Sequence, residues 1–116
     1  MNVIIAGSRT FRNWVFLKNS IDSLGWNIDT IISGHASGAD SMGERYADYK
    51  AIDKEIYPAN WKKHGKSAGY IRNSKMATLA DALIAFWDGK SKGTKHMIDI
   101  ATKAGLEVII FNYECK

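Results

Sequence analysis

Asn2-Val3-Ile4-Ile5-Ala6, followed at once by Gly7-Ser8-Arg9-Thr10-Phe11, is the stretch that decides the fold. A short β-branched apolar run broken by glycine and hydroxyl residues is the pattern of a strand buried on both faces that ends in a polar loop. Thr30-Ile31-Ile32 repeats it before Ser33-Gly34. Further strand signals stand at Glu55-Ile56-Tyr57, stopped by Pro58, and at Ala82 to Trp87, stopped by Asp88-Gly89. Glu107-Val108-Ile109-Ile110-Phe111 is the fifth.

Helical spacing fills the intervals. Trp14, Leu17, Ile21 and Leu24 fall on one helix face, as do Met42, Tyr46 and Tyr49, and the segments 68–79 and 94–104 complete the set. Gly25 and Gly105 stand just past the first and last helices, where a left-handed cap is wanted. Strict βαβ alternation with apolar strands predicts an α/β fold: one three-layer Rossmann-like domain over residues 1–116, with a mainly parallel five-stranded sheet and helices on both faces. Such sheets bind ligands at the carboxyl ends of their strands, which directs attention to the loop after each strand.

Composition sets the bounds. The chain has 116 residues, 46% hydrophobic and 24% charged, which fits one domain with a real core. The lone Cys115 can form no internal disulfide, and the opening apolar run is too short for a leader or a membrane span, so a soluble cytoplasmic protein is expected. A formal net charge of +4 favours phosphate-bearing partners without specifying nucleic acid. The basic residues are scattered, and the densest group is Lys62, Lys63, His64 and Lys66.

After the first strand, Gly7 permits close backbone approach, Ser8 and Thr10 offer hydroxyls, and Arg9 offers a fork of donors suited to phosphate; Thr10 or Asn13 can equally cap the next helix. After the second, Gly34, Ser37 and Gly38 lead straight into a helix, an arrangement able to hold an anion on unpaired N–H groups. It is neither the dinucleotide fingerprint nor a Walker loop. Asp40 opens that helix and Glu44 lies one turn on. His35, with no second ligand at metal spacing, is read as a loop hydrogen-bonder, so no metal is assigned.

The third loop carries Asn60, Trp61 and Lys66, an aromatic beside lysines that can stack a base or simply cover the sheet edge. The helix after it opens with Gly69, Arg72 and Asn73, a glycine placement that points to close approach by another group. The fourth loop, with Asp88, Gly89, Ser91, Gly93 and Thr94, again feeds a helix. Two anion-binding helix starts on one sheet edge suit a ligand with two phosphates, or a phosphate and a sugar.

Taken in order, Gly7-Ser8-Arg9-Thr10-Phe11, Ser33-Gly34-x-Ala36-x-Gly38-Ala39-Asp40, Pro58-Ala59-Asn60-Trp61, Gly65-Lys66-x-Ala68-Gly69-x-Ile71-Arg72-Asn73-x-x-Met76 and Ala85-Phe86-x-x-Gly89-x-x-x-Gly93-Thr94 resemble the YspA-type branch of the SLOG superfamily, over nearly the whole chain. The resemblance implies a Rossmann-like protein that binds a nucleotide-derived molecule, such as an ADP-ribose-like or cyclic-nucleotide signal, as a sensor or sequestering protein in bacterial and phage conflict. It also implies pairing into dimers, for which Trp14, Phe16, Trp26 and Tyr113 offer aromatic surface if they are not core. No cofactor beyond such a ligand is expected.

The LOG phosphoribohydrolases of the superfamily carry an Arg on the third helix and a Pro-Gly-Gly-x-Gly-Thr-x-x-Glu signature whose Glu acts on an N-glycosidic bond. Here Arg72 and Met76 keep the Arg-x-x-x-Met spacing and Gly93-Thr94 resembles the phosphate loop, but Met97 stands at the Glu position, beside His96. A thioether cannot act as an acid or a base. Binding without hydrolysis is therefore the first expectation; an N-glycosidase using Asp40 or Glu44 is the alternative, and a DNA-binding module like that of the DNA-processing relative is a further one.

Overall fold

The computed structural model describes residues 1–113; Cys115, on which the redox reading rests, lies outside the described residues. Five strands, β1 (Asn2–Gly7), β2 (Thr30–Ser33), β3 (Asp53–Ile56), β4 (Ala82–Trp87) and β5 (Glu107–Asn112), alternate with helices α1 (Trp14–Leu24), α2 (Ala39–Lys50), α3 (Trp61–His64), α4 (Ala68–Leu79) and α5 (Lys92–Lys103). All strand pairs are parallel, in the order β3-β2-β1-β4-β5. The α/β class, the five parallel strands and the Rossmann-like arrangement agree with the sequence reading.

The period-two alternation of β1 divides the core. Val3 and Ile5 face a cluster with Leu17, Ile21, Tyr46 and Ala47 from α1 and α2, whereas Ile4 and Ala6 face Met76, Ala77, Met97 and Ala101 from α4 and α5. Val3, Ile4 and Ile5 are fully buried, and each such side chain contributes about 1.5–3 kcal/mol. Trp14, Phe16, Trp26 and Tyr113, the aromatics expected to offer surface to a partner, are partly buried and pack on the first cluster.

Local signals explain most boundaries. The Asn13 side chain accepts the Phe16 N–H at 3.0 Å and starts α1, while Gly25 ends it with φ 65°. Three departures from the sequence reading exceed one residue. β3 begins at Asp53 rather than Glu55, because it is an edge strand whose register is set by pairing with β2 and which needs no apolar content. A single turn, Trp61–His64, interrupts the basic loop, capped by the Asn60 side chain at Lys63 N–H (3.1 Å). α5 starts at Lys92 rather than Thr94, with Ser91 as its cap. Among the described residues no helix is long and apolar enough to cross a membrane.

Candidate functional site

β1 is flanked by β2 on one side and β4 on the other, so the crossovers leaving β1 and β4 run in opposite directions. The loops at their carboxyl ends part there and leave a crevice. Ser8 binds its walls together. Its N–H donates to the Phe86 carbonyl (3.0 Å), its Oγ accepts from Asp88 N–H (3.3 Å), and its carbonyl accepts from Phe11 and Ala39 N–H groups (both 3.2 Å). Ser8 is buried, so its hydrogen bonds serve the frame of the site.

Gly38 closes the same junction with φ 78°. A Cβ there would stand 2.3 Å from the Ser8 carbonyl oxygen and 2.5 Å from the Arg9 carbonyl. Only glycine lets the two loops meet in this way.

The loop after β2 holds two separate polar groups. In the first, Glu44 accepts from the Ser33 hydroxyl (2.8 Å) and pairs with the His35 ring (3.1 Å), which places Glu44 beside the loop rather than in the crevice. In the second, Asp40 is buried and accepts from Ala36 N–H at 3.2 Å. Burial pushes its carboxyl up to about 6, against the opposing pull of that N–H and of the Arg72 and Arg9 charges.

Arg72, on α4, donates to the carbonyls of Gly34 and Tyr57 and, through Nε, to Asn73 Oδ1 (2.9 Å). A Cβ on Gly34 would lie 2.4 Å from Arg72 Nη1 and 2.9 Å from Asp40 Oδ2, so the missing side chain makes room for this cation.

Because Asn73 Oδ1 receives Arg72, its Nδ2 faces the His96 ring at 3.3 Å and makes Nδ1 the acceptor. That contact favours the neutral ring, and burial lowers the His96 pKa below its usual value against the opposing Asp99 charge. Its ring packs on Tyr70 with centroids 4.2 Å apart. This chain of contacts joins α4 to α5 along the rim of the crevice.

The loop after β4 is a tight turn. Asp88 Oδ1 accepts from the N–H groups of Lys90 (2.8 Å) and Ser91 (2.9 Å), which hold its pKa below the usual carboxylate range. Ser91 Oγ then accepts from Thr94 N–H (3.4 Å) and lies 3.0 Å from Thr94 Oγ1. Gly93 has nothing within 4 Å of where a Cβ would be, so the first turn of α5 opens onto free space.

The crevice comprises two adjoining hollows of about 210 and 390 Å³ that share Arg9, Ala36, Trp61 and Arg72. Of the residues singled out by sequence, Gly7, Arg9, Asp40, Trp61, Lys66, Arg72, Asn73, Ser91, Gly93 and Thr94 line the first, and Gly34 and Ser37 the second. Ser8, Gly38, Asn60, Asp88 and Gly89 instead belong to the supporting turns and caps, Thr10 is exposed outside both hollows, and Glu44 is bound to Ser33 and His35.

Met97 and Met76 contribute apolar floor, and Trp61 is 53% exposed at the mouth. Sequence reasoning missed Tyr70 and the role of His96 and Asn73 in joining the helices. The one signal that could have found Tyr70 was its place beside Gly69, where a Cβ would touch the Trp61 ring at 3.6 Å. Among the described residues no three His, Cys, Asp or Glu side chains come together as a metal-ligand set.

The glycine-rich loops, the paired arginines and the Asp40 helix start can be set beside known proteins. The family model described as YspA, cpYpsA-related SLOG family matches residues 1–64, the part that carries β1, β2 and their loops. The Gene 61 protein of Mycobacterium phage D29 is 34% identical over 119 residues, covering 94% of each chain, and so extends the likeness through α4, β4 and α5. No solved structure matches. A chain whose β1 and β2 loops fit that model, and which aligns along nearly its whole length with a phage protein, belongs to the YspA, cpYpsA-related SLOG family.

Proposed function

We propose that this protein binds a small phosphorylated, nucleotide-derived molecule of the ADP-ribose or cyclic-nucleotide kind across the β1/β4 crevice, and serves as a sensor or a sequestering protein in bacterial or phage signalling. The observation that carries the reading is the pairing, in one hollow, of an open helix start at Gly93-Thr94 with the cations Arg9, Lys66 and Arg72. The positive end of α5, whose Thr94 N–H is capped by Ser91 Oγ but whose first turn is open at Gly93, favours phosphate, and no acid stands in that turn to oppose it.

In this reading Asp40, on the wall of the same hollow, accepts ribose hydroxyls. Trp61 offers an exposed ring for the base. The family membership supports a nucleotide-related ligand, and the phage relative fits a phage context. Native mass spectrometry of freshly purified protein tests the reading. An adduct of nucleotide mass, lost in Arg9→Ala, is expected; absence of any adduct, together with no thermal stabilisation by any nucleotide, would overturn it.

A second reading, hydrolysis of an N-glycosidic bond, is favoured by one observation. Asp40 is a buried carboxyl whose pKa of about 6 leaves both protonation states available near neutrality. Glu44 supports it less, since Ser33 and His35 hold it. Chromatographic assay for free base from nucleoside monophosphates decides this, and unchanged turnover in Asp40→Asn would remove Asp40 as its acid.

A further inference from the structure

The two borders of the sheet are β3 and β5, and they are unlike. β3 is four residues, Asp53-Lys54-Glu55-Ile56, whose first three are exposed and charged, the kind of edge that discourages pairing with another chain. β5 is longer, Glu107-Val108-Ile109-Ile110-Phe111-Asn112, with one charge at its start and Ile110 39% exposed. An apolar edge of this length without Pro, Lys or bulge is an aggregation site unless something covers it.

The backbone shows how it can be covered. Glu107 N–H donates to the Asp81 carbonyl and Tyr113 N–H to the Trp87 carbonyl (both 3.2 Å), so odd-numbered residues of β5 direct their backbone groups toward β4. The N–H and C=O groups of Val108, Ile110 and Asn112 therefore point to the open side. In a closed twofold dimer joined edge to edge, the axis runs perpendicular to the sheet, the strands are antiparallel, and residues of equal parity face one another.

We infer that β5 pairs with β5 of a second copy, antiparallel about a twofold axis through Ile110, to make one continuous sheet. This register sets Ile110 opposite Ile110 and Val108 opposite Asn112, using all three outward-facing residues in about six backbone hydrogen bonds. Ile109 falls opposite Phe111, an aliphatic–aromatic pair, and Glu107 falls opposite Tyr113, so no like charges meet. The pairing does not depend on the ligand reading, because none of these residues lines the crevice.

Sedimentation equilibrium of the full chain up to about 100 µM, with circular dichroism as the check on folding, tests the inference. The unmodified chain is expected to dimerise, and Ile110→Lys to raise the dissociation constant at least about tenfold while keeping its spectrum, and its melting midpoint at concentrations where both chains are monomeric. Register is read separately in a Cys115→Ser background. Ile110→Cys should cross-link to itself under mild oxidation, since a hydrogen-bonded antiparallel pair sets Cα atoms about 5.5 Å apart. Glu107→Cys should not, its twin lying several residues away. A monomer at the highest concentration, a dimer undisturbed by Ile110→Lys, or cross-linking at Glu107→Cys as fast as at Ile110→Cys would overturn the inference.

Discussion

Two helix starts meet the same crevice and have opposite characters. At α2 the positive end is already occupied: Asp40 stands in the first turn, accepts from Ala36 N–H and is buried, and Ala39 N–H is taken by the Ser8 carbonyl. At α5 there is no first-turn acid, and Asp88 turns its carboxylate back onto Lys90 and Ser91, leaving Gly93 facing open space. Glycine-rich loops that look alike therefore do different things. One brings a hydrogen-bond acceptor into the crevice and suits hydroxyls; the other, capped by Ser91 but free of first-turn acid and open at Gly93, suits phosphate.

The strongest way to break this contrast is to add a methyl to the α2 loop. Gly38→Ala combines a positive φ with contact against two carbonyls, and should destabilise the fold by about 3–5 kcal/mol in urea titration; a loss below about 1 kcal/mol would mean that the α2 loop is as open as the α5 loop. Next comes the pH dependence of Asp40. Its folded pKa of about 6 lies above the usual 3.8, so between those values the folded state binds more protons than the unfolded one and stability falls as pH rises. That loss, up to about 3 kcal/mol in full between pH about 4 and 6, should be absent in Asp40→Asn. An identical pH slope in both proteins would place the carboxyl in water.

Gly93→Ala sharpens the other side of the contrast. With space for the Cβ and helical backbone, the fold should gain about 0.5–1 kcal/mol, while a methyl at the mouth of the donor site weakens ligand binding about tenfold. Trp61→Ala should be the mildest for stability, within about 0.5 kcal/mol, since the ring is mostly in solvent. A melting midpoint lowered by more than a few degrees would show that Trp61 supports the fold instead of a ligand.

Much of this was legible in the sequence, and the rest has physical reasons for being hidden. Apolar runs bounded by Gly-Ser turns identify the buried strands directly, and βαβ alternation brings their loops to one edge, which is why Arg9, Asp40, Arg72 and Gly93 could be grouped across more than 80 residues of chain. Edge strand β3 was mis-bounded because its residues answer to register and not to burial.

Loop polarity was ambiguous. Ser8, Asn60 and Asp88 carry the same groups whether they serve a ligand or a backbone N–H, and in the fold they serve the backbone. The Tyr70–His96–Asn73 contacts arise only from how α4 packs on α5, and nothing local in the chain announces that pairing.

The α5 start and its surrounding cations are read as the hold on a phosphorylated nucleotide-type ligand. The most direct test is the thermal midpoint of the unmodified chain and of Gly93→Ala against ADP-ribose, nucleoside mono- and diphosphates and cyclic nucleotides. At about 100 times its dissociation constant a bound ligand adds about 2.7 kcal/mol, a rise of about 10 °C for a domain of this size. Such a rise is expected with at least one of these compounds, reduced in Gly93→Ala although that variant is the more stable without ligand. No rise with any of them, or an equal rise in both proteins, would contradict it.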